Sequence, residues 1–224
     1  MDRRSILIFT AVELEAKSVA RALGIKAPSL GRPTEGHVAG CRVILHLIGI
    51  AAVGLPPLEA GEDCRWVNMA GLAGGLDPAL EIGEIVVEGC PDALRTRFGC
   101  RHGRMHTAAE IIAVPAEKAA LFRSTTALAV EMENARVRRW ADQAGLSFIG
   151  IRAISDRADQ TLEPAILRLV NDRGRPHAAK MAAALVRQPS LAPALVRLGR
   201  DSSRAGRALG PAVCELVAGL AQLP

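Results

Sequence analysis

Carboxylate side chains follow three apolar runs of this 224-residue sequence. Glu13 and Glu15 come after the first run, Glu131 and Glu133 end the second, and Asp156 ends the third. Because open α/β sheets bind ligands at the carboxyl ends of their strands, we expect these carboxylates to converge on one pocket. Carboxylates in a pocket can accept a proton, donate one, or stabilise a developing positive charge. Each acid alone also fits the start of a helix, so only their convergence would indicate a site.

The apolar periodicity around these acids predicts alternating strands and helices. We predict strands at residues 5–11, 38–48 (one or two strands), 65–69, 82–88, 127–132 and 146–154, and helices at 13–23, 116–123, 134–145, 178–187 and 192–209. Residues 90–115 are irregular and polar, and we expect a loop with short strands there. A strand, a helix and a strand at the spacing of 127–154 form a βαβ crossover, which predicts an α/β fold with a largely parallel sheet.

A glycine-rich run at residues 71–75 follows the predicted strand at 65–69. Backbone N–H groups in a glycine-rich turn at a helix start can bind anions. The run matches neither GxGxxG nor GxxxxGK[ST], and it contains no Lys, Ser or Thr. Binding of NAD or ATP is therefore not predicted, and we expect no cofactor.

The excess of positive charge lies in the C-terminal segment. Residues 171–224 contain eight Lys and Arg against three Asp and Glu, so the other residues balance twenty against twenty. With 3% aromatic residues and no Tyr, the chain lacks the stacking side chains of single-stranded nucleic-acid binders, and we predict no nucleic-acid partner. We predict a main domain at 1–170 and a basic helical extension at 171–224 packed on it. The basic face is either simply solvated or contacts an anionic membrane peripherally.

The cysteine pattern and the lack of a long apolar run indicate a reduced, cytoplasmic protein. The five cysteines include no CxxC pair, so we predict free thiols. No apolar run reaches the length of a membrane span, and no secretory leader is recognisable. Cys100, His102 and His106 lie close together in sequence, but a fourth ligand is missing and no metal site is predicted.

Four segments of the chain resemble, in order and spacing, the purine nucleoside phosphorylase and methylthioadenosine/S-adenosylhomocysteine nucleosidase superfamily. They are AVELE at 11–15, AGLAGGL at 70–76 with IGEIVV at 82–87, AVEME at 129–133, and IRAISD at 151–156. The resemblance covers residues 6 to about 159. It implies a three-layer α/β/α sandwich around a mixed, largely parallel sheet, and cleavage of the N-glycosidic bond of a nucleoside.

The resemblance also implies roles for single residues. Glu15 would activate the attacking water, and Asp156 would protonate or hydrogen-bond the departing base. Residues implied to bind substrate are Ala11, Ala73, Gly74, Met132, Glu133 and Ser155, with Glu133 on the ribose hydroxyls, Met132 along the sugar and Ser155 holding Asp156. Glu131 receives no role. These roles suit a transition state that resembles an oxocarbenium ion and a purine that needs a proton to leave.

Two departures from the family pattern keep alternative functions open. Leu72 stands where the family usually has a hydroxyl, and residues 106–115 offer no aromatic side chain to stack on a base. Glu13 and Glu15 would repel phosphate, which favours a hydrolase over a phosphate-dependent phosphorylase, the first alternative. A nucleoside-binding protein without catalysis is the second alternative.

A finer resemblance links the chain to the hopanoid-associated branch of the superfamily. It depends on the helix start at 115–118 and on the Arg-rich C-terminal helices. It implies an adenosine-type substrate with an apolar 5′-substituent, either adenosylhopane or a methylthioadenosine/S-adenosylhomocysteine type of compound, and release of adenine. The family resemblance further implies a homodimer.

Overall fold

The computed structural model describes residues 5–61, 63–96, 99–167 and 178–223. Within these residues the strands are β1 (Ser5–Thr10), β2 (Thr34–Val38), β3 (Cys41–Leu47), β4 (Cys64–Gly75), β5 (Ile85–Glu88), β6 (Arg101–His102), β7 (Met105–Thr107), β8 (Ala129–Glu131) and β9 (Ser147–Asp156). The helices are α1 (Glu13–Leu23), α2 (Asp92–Arg95), α3 (Pro115–Thr125), α4 (Asn134–Gln143), α5 (Pro164–Leu167), α6 (Ala178–Arg187) and α7 (Ala192–Leu220). Short 3-10 turns lie at Ile50–Ala52, Leu58–Gly61 and Pro189–Leu191.

The strands form one mixed sheet in the order β2-β3-β1-β4-β9-β5-β6, with β8 paired to the end of β4 and β7 paired to β8. The central pairs β3/β1, β1/β4 and β4/β9 are parallel, whereas β2/β3, β4/β8 and β9/β5 are antiparallel. The predicted α/β fold with a mixed, largely parallel sheet is confirmed. The parallel crossover predicted at 127–154 was wrong, because β8, which ends at Glu131, runs antiparallel to β4, whereas β9 runs parallel to β4.

Helices cover both faces of the central strands. On one face, Val19 of α1 and Leu209 of α7 share a buried cluster with Ile8 and Ile151 of the sheet. On the other face, Trp140 of α4 packs with sheet residues that include Phe9 and Val67. Strands that are covered on both faces need apolar side chains at nearly every position, which explains the continuous apolar runs at 5–10 and 148–154.

The glycine-rich run lies inside a strand and not in a turn. β4 continues through Gly71 to Gly75, between β1 and β9, so the turn expected there was wrong. Glycine weakens a strand and suggests a turn in isolation, but here the two neighbouring strands supply the hydrogen bonds that keep the backbone extended. The space next to these glycines is taken by side chains of the site described below.

Helix α7 is longer than the sequence indicated. We predicted an end at residue 209 because Gly210 and Pro211 usually break a helix, yet the helix continues to Leu220. Val213, Leu216 and Val217 prolong the buried apolar face, and their burial offsets the hydrogen bond lost at Pro211. The predicted end of α6 at Arg187 agrees with the structure, and so do both predicted limits of α1.

A seam of small residues joins α7 to α1. A Cβ atom added at Gly210 would lie 2.6 Å from the carbonyl oxygen of Ser18, and one added at Gly206 would lie 3.0 Å from Leu14. The two helices therefore approach each other closely where these glycines lie. The opposite side of α7 carries exposed arginines at 197, 200, 204 and 207.

The proposed division of the chain at 170/171 falls outside the described residues. Helix α7 nevertheless shares its hydrophobic cluster with α1 and the sheet, so this part of the C-terminal segment packs on the main body. No helix in the described ranges is both long and apolar enough to cross a bilayer.

Candidate active site

A cleft of about 300 Å³ opens where the chain leaves β1 and where the ends of β4, β8 and β9 meet. All eight residues predicted to form a site line it: Ala11, Glu15, Ala73, Gly74, Met132, Glu133, Ser155 and Asp156. Glu131 and Leu72 line it as well, whereas Glu13 does not. The expected convergence of carboxylates from three segments is therefore present. What each residue does in the cleft stays a prediction.

Glu15 is held by backbone groups from both sides of the cleft. Its Oε2 accepts the N–H groups of Ala11 (2.9 Å) and Val12 (3.0 Å), and its Oε1 accepts the N–H of Leu72 (2.8 Å). Burial raises its pKa to about 7, with Arg152 lowering the value and Glu133 raising it further. A carboxylate with such a pKa can accept a proton near neutral pH, as a general base must.

Arg152 was missed by the sequence analysis, although it lies at the centre of the site. Its side chain is fully buried, and Nη2 donates to Glu131 (2.7 Å), Glu133 (3.2 Å) and Asn134 Oδ1 (2.9 Å). Burial lowers its pKa, but the adjacent carboxylates outweigh burial and raise the value above the ordinary one. The available signal was a charged residue inside an otherwise apolar central strand.

Glu131, which had no predicted role, organises the start of α4. Its Oε2 accepts the backbone N–H groups of Glu133 (2.8 Å) and Asn134 (2.7 Å) as well as Arg152 Nη2, and its Oε1 accepts the hydroxyl of Thr107. These bonds satisfy N–H groups that a helix start otherwise leaves unpaired. Glu131 is therefore a structural anchor that also supplies a counter-charge for Arg152.

Glu133 extends the same network toward the turn at Ile50–Ala52. Its Oε1 accepts the N–H of Ala51 (3.1 Å), and burial, the largest influence, raises its pKa. Ala51 has a φ of 53°, a left-handed conformation that costs free energy in any residue except glycine. The neighbouring Met132 also lines the cleft and is partly exposed.

Asp156 occupies another wall of the cleft, beside an irregularity in the β4/β9 pairing. Ala73 pairs with Ile154 and Gly74 with Asp156, so Ser155 is an extra residue in β9. The Ser155 hydroxyl donates to Asp156 Oδ1 (2.9 Å), in agreement with the contact implied by the resemblance.

Lys118 is a second residue that the sequence analysis did not place in the site. Its Nζ donates to Asp156 Oδ2, and the lysine is fully buried, which is rare for this residue type. It lies on α3, 38 residues before Asp156 in the sequence. No local pattern indicates such a contact, because only the fold brings α3 against the end of β9.

Gly71 is the position where a single methyl group should disturb the site most. A Cβ atom there would lie 2.1 Å from Arg152 Nη1 and 2.8 Å from Glu15 Oε1. We expect Gly71→Ala to lose at least about 2 kcal/mol of stability through strain in a packed interior, together with most of any catalytic activity. Urea unfolding and activity assays would measure both losses. Gly199→Ala is the matched control, because nothing lies within 4 Å of its added Cβ and alanine favours a helix. Equal behaviour of the two variants would contradict this packing.

The remaining walls of the cleft are mostly aliphatic. They are formed by Val12, Ile50, Ile111, Ile112, Val130, Leu162 and Leu198, with Glu110 as a further acid.

In the parts of the chain that the structure describes, no group of three or more His, Cys, Asp or Glu side chains is arranged for a metal ion. Of the three residues considered as metal ligands in the sequence analysis, Cys100 and His102 are in contact, with 3.5 Å between Sγ and Nε2.

Comparison with known proteins supports the same fold. The sequence profile of the phosphorylase superfamily matches residues 92–188. Among solved structures, the 5′-methylthioadenosine/S-adenosylhomocysteine nucleosidase of Neisseria meningitidis in complex with methylthio-immucillin-A is 21% identical, with a TM-score of 0.68 over 96% of this chain and 99% of that one. The S-adenosylhomocysteine nucleosidase of Streptococcus pyogenes is 18% identical (TM-score 0.69; 97% and 98% covered). The futalosine hydrolase of Helicobacter pylori is 16% identical (TM-score 0.66; 96% and 97% covered). No curated protein sequence matches the chain.

Proposed function

We propose that this protein hydrolyses the N-glycosidic bond of an adenosine-type nucleoside and releases adenine. The observation that carries the proposal is the convergence of Glu15, Glu133 and Asp156 on one cleft, each held by specific hydrogen bonds. The partial match to the phosphorylase superfamily and the likeness to three nucleoside-cleaving enzymes support it.

In the proposed reaction, the bond between C1′ of the sugar and the base nitrogen breaks, and its electron pair moves to the base. Asp156 supplies a proton to the base, which then leaves as a neutral molecule. Glu15 accepts a proton from a water molecule as the water oxygen attacks C1′. Glu133 and Met132 contact the sugar. The surrounding carboxylates stabilise the positive charge that develops on the sugar ring.

Water is the better nucleophile for this cleft on grounds of charge. Three buried carboxylates, Glu15, Glu131 and Glu133, surround the buried Arg152. Inorganic phosphate would meet a net negative environment and an arginine whose Nη2 is already bonded to carboxylates. A phosphorolytic reaction is therefore disfavoured.

The aliphatic walls suit an apolar 5′-substituent. Ile50, Ile111, Ile112 and Leu198 offer neither charge nor hydrogen-bond donors in their side chains. Methylthioadenosine, S-adenosylhomocysteine and adenosylhopane remain the candidate substrates, as the sequence resemblance implied.

We also propose that the protein forms a homodimer and that the basic face of α7 makes a peripheral contact with an anionic membrane.

The deciding experiment measures adenine release from methylthioadenosine, S-adenosylhomocysteine and adenosylhopane, with and without phosphate. We expect release that does not depend on phosphate. Release only with phosphate would favour a phosphorylase. Tight binding of a nucleoside without turnover would favour the non-catalytic binding protein, which Leu72 and the lack of an aromatic wall keep open.

The pH dependence of the reaction gives a separate prediction. The pKa of Glu15 lies near 7, raised by burial, and only the ionised form can accept a proton from water. We therefore expect kcat/KM for methylthioadenosine to fall as the pH drops below about 7. A profile measured from pH 5 to 9 would show this acidic limb. Activity that stayed constant down to pH 5 would contradict the assignment of Glu15 as the base.

A further inference from the structure

The buried ammonium group of Lys118 donates three hydrogen bonds, one of them to a carboxylate of the cleft. The side chain is fully buried, and its Nζ donates to Asp156 Oδ2, to the carbonyl oxygen of Arg157 (2.8 Å) and to that of Gln160 (3.3 Å). An ammonium group has three N–H donors, so every one of them has an acceptor. Only Asp156 among these three partners lines the cleft. Lys118 can therefore act on a bound molecule only through this carboxyl group.

The proposed reaction gives Asp156 a task that an isolated ionised carboxylate cannot perform. A departing purine needs a proton, and a carboxylate that is ion-paired with an ammonium group carries none. The hydrogen bond from Lys118 Nζ to Asp156 Oδ2 gives this carboxylate a proton donor. Transfer of one proton along this bond turns the ion pair into a neutral acid and a neutral amine.

The charged groups around this pair are arranged on several elements. Ser155 and Asp156 come from β9, and Ala73 and Gly74 of β4 lie against them. The pKa of Asp159 is lowered mainly by the hydrogen bond from Arg157, and the charge of Lys118 adds to this effect. Other ionisable groups that line or underlie the cleft are Glu15, Glu110, Glu131, Glu133 and Arg152. In the described part of the chain, Lys118 is the only cation that forms an ion pair with Asp156.

We infer that Lys118 is a positioning residue that supplies, through Asp156, the proton taken by the departing base. This inference depends on the proposed nucleosidase function. As the C1′–N bond breaks, Asp156 gives a proton to the base and Lys118 Nζ passes one to Oδ2. After the base leaves, water that refills the cleft returns a proton to Asp156 and from there to Lys118. The sugar gains hydroxide from the attacking water, whose other proton goes to Glu15. Glu15 then releases this proton to solvent, which balances the proton that solvent returns to Lys118, so each cycle consumes one water molecule.

The test compares Lys118→Met and Lys118→Arg, because these variants separate charge from proton supply. Arginine keeps a positive charge beside Asp156 but does not give up a proton in proteins. We expect both variants to release adenine from methylthioadenosine at least about 100-fold more slowly than wild type at pH 8. For Lys118→Met the deficit should shrink toward pH 5, because protons from solution can then replace the missing donor. Lys17→Met, which changes an exposed lysine, is the matched control and should follow the wild-type profile.

A second substrate distinguishes proton supply from a structural effect. 4-Nitrophenyl ribofuranoside releases nitrophenolate, which leaves without being protonated, so both Lys118 variants should lose far less activity on it. A wild-type pH profile for Lys118→Arg, or equal losses on both substrates, would overturn the inference while leaving the nucleosidase proposal intact. Inactive wild-type protein on all substrates would refute the nucleosidase proposal and this inference with it. If Lys118→Met fails to fold by circular dichroism, Lys118→Arg decides the question.

Discussion

The Glu15→Gln variant is expected to release adenine from methylthioadenosine roughly 10²- to 10⁴-fold more slowly than wild type, the range that general-base catalysis contributes. The amide cannot accept a proton from water, and it fills nearly the same space as the carboxyl group. Steady-state rates at pH 8, where the wild-type carboxyl group is ionised, would measure the loss. The affinity for adenine, measured by calorimetry, should change much less than the rate.

Glu13→Gln is the matched control for this prediction. Glu13 lies two residues earlier on the same first turn of α1, outside the cleft, where it contacts Lys17 at 3.5 Å. Its substitution should leave the rate within about twofold, since Glu13 does not line the cleft. Similar losses in both variants would indicate that the first turn of α1 as a whole, and not the Glu15 carboxylate, is required.

The stability of Glu15→Gln gives an independent readout of the same carboxyl group. The folded-state pKa of about 7 exceeds the ordinary value of 4.5, because burial disfavours the charged form. The contribution of Glu15 to stability is therefore complete below pH 4.5 and is lost as the pH rises through about 7. The glutamine variant has no such loss, so the difference in unfolding free energy between wild type and variant should fall by about 3 kcal/mol over this interval. A difference that is constant with pH would contradict the raised pKa.

The Arg152→Met variant is expected to lose about 3 to 5 kcal/mol of stability, the usual cost of leaving a buried charge without its partner. Methionine fills much of the volume of the arginine side chain, but it leaves Glu131 and Glu133 facing each other without a counter-charge. Urea unfolding at pH 7 would measure the loss. Activity should fall as well, because both carboxylates line the cleft.

Two further variants isolate the electrostatic part of this effect. Arg138→Met removes an arginine that is 42% exposed and pairs with Glu88 at 3.2 Å, so it should cost about 1 kcal/mol or less. Adding Glu131→Gln to Arg152→Met should recover part of the loss, because one of the unpaired charges is removed. A double variant that is less stable than Arg152→Met would show that Glu131 acts mainly through its bonds to the start of α4.

The carboxylates that line the cleft could be predicted from the sequence better than the buried cations that contact them. Glu15, Glu133 and Asp156 each follow an apolar run, a local pattern that marks the place where a strand ends. Glu13 and Glu131 share this pattern, so the family resemblance was needed to select the three. Arg152 and Lys118 could not be predicted, because their partners lie 18 or more residues away and the contacts exist only once β9 has α3 and α4 beside it. Glu131 was visible but ambiguous, since a carboxylate that binds backbone and one that binds substrate look alike in a sequence.

The fold shows the same contrast between local and non-local information. The limits of α1 were predicted correctly, since apolar periodicity and the breaker at Gly24 are properties of a short segment. The strand through Gly71 and the helix through Pro211 were both mispredicted. In each case, packing against neighbouring elements overcame a local preference for a break.

The glycine seam between α1 and α7 divides the long C-terminal helix into two sides with different freedom to change. On the arginine side, solvent surrounds the side chains, so substitutions there can alter the charge of the surface without moving the backbone. On the seam side, a larger residue at Gly210 would press on the backbone of α1 at Ser18, and α1 begins with the turn that carries Glu15. Substitutions on the two sides of this helix should therefore have different effects. On the arginine side they change the surface charge, and on the seam side they change the position of the helix that carries Glu15.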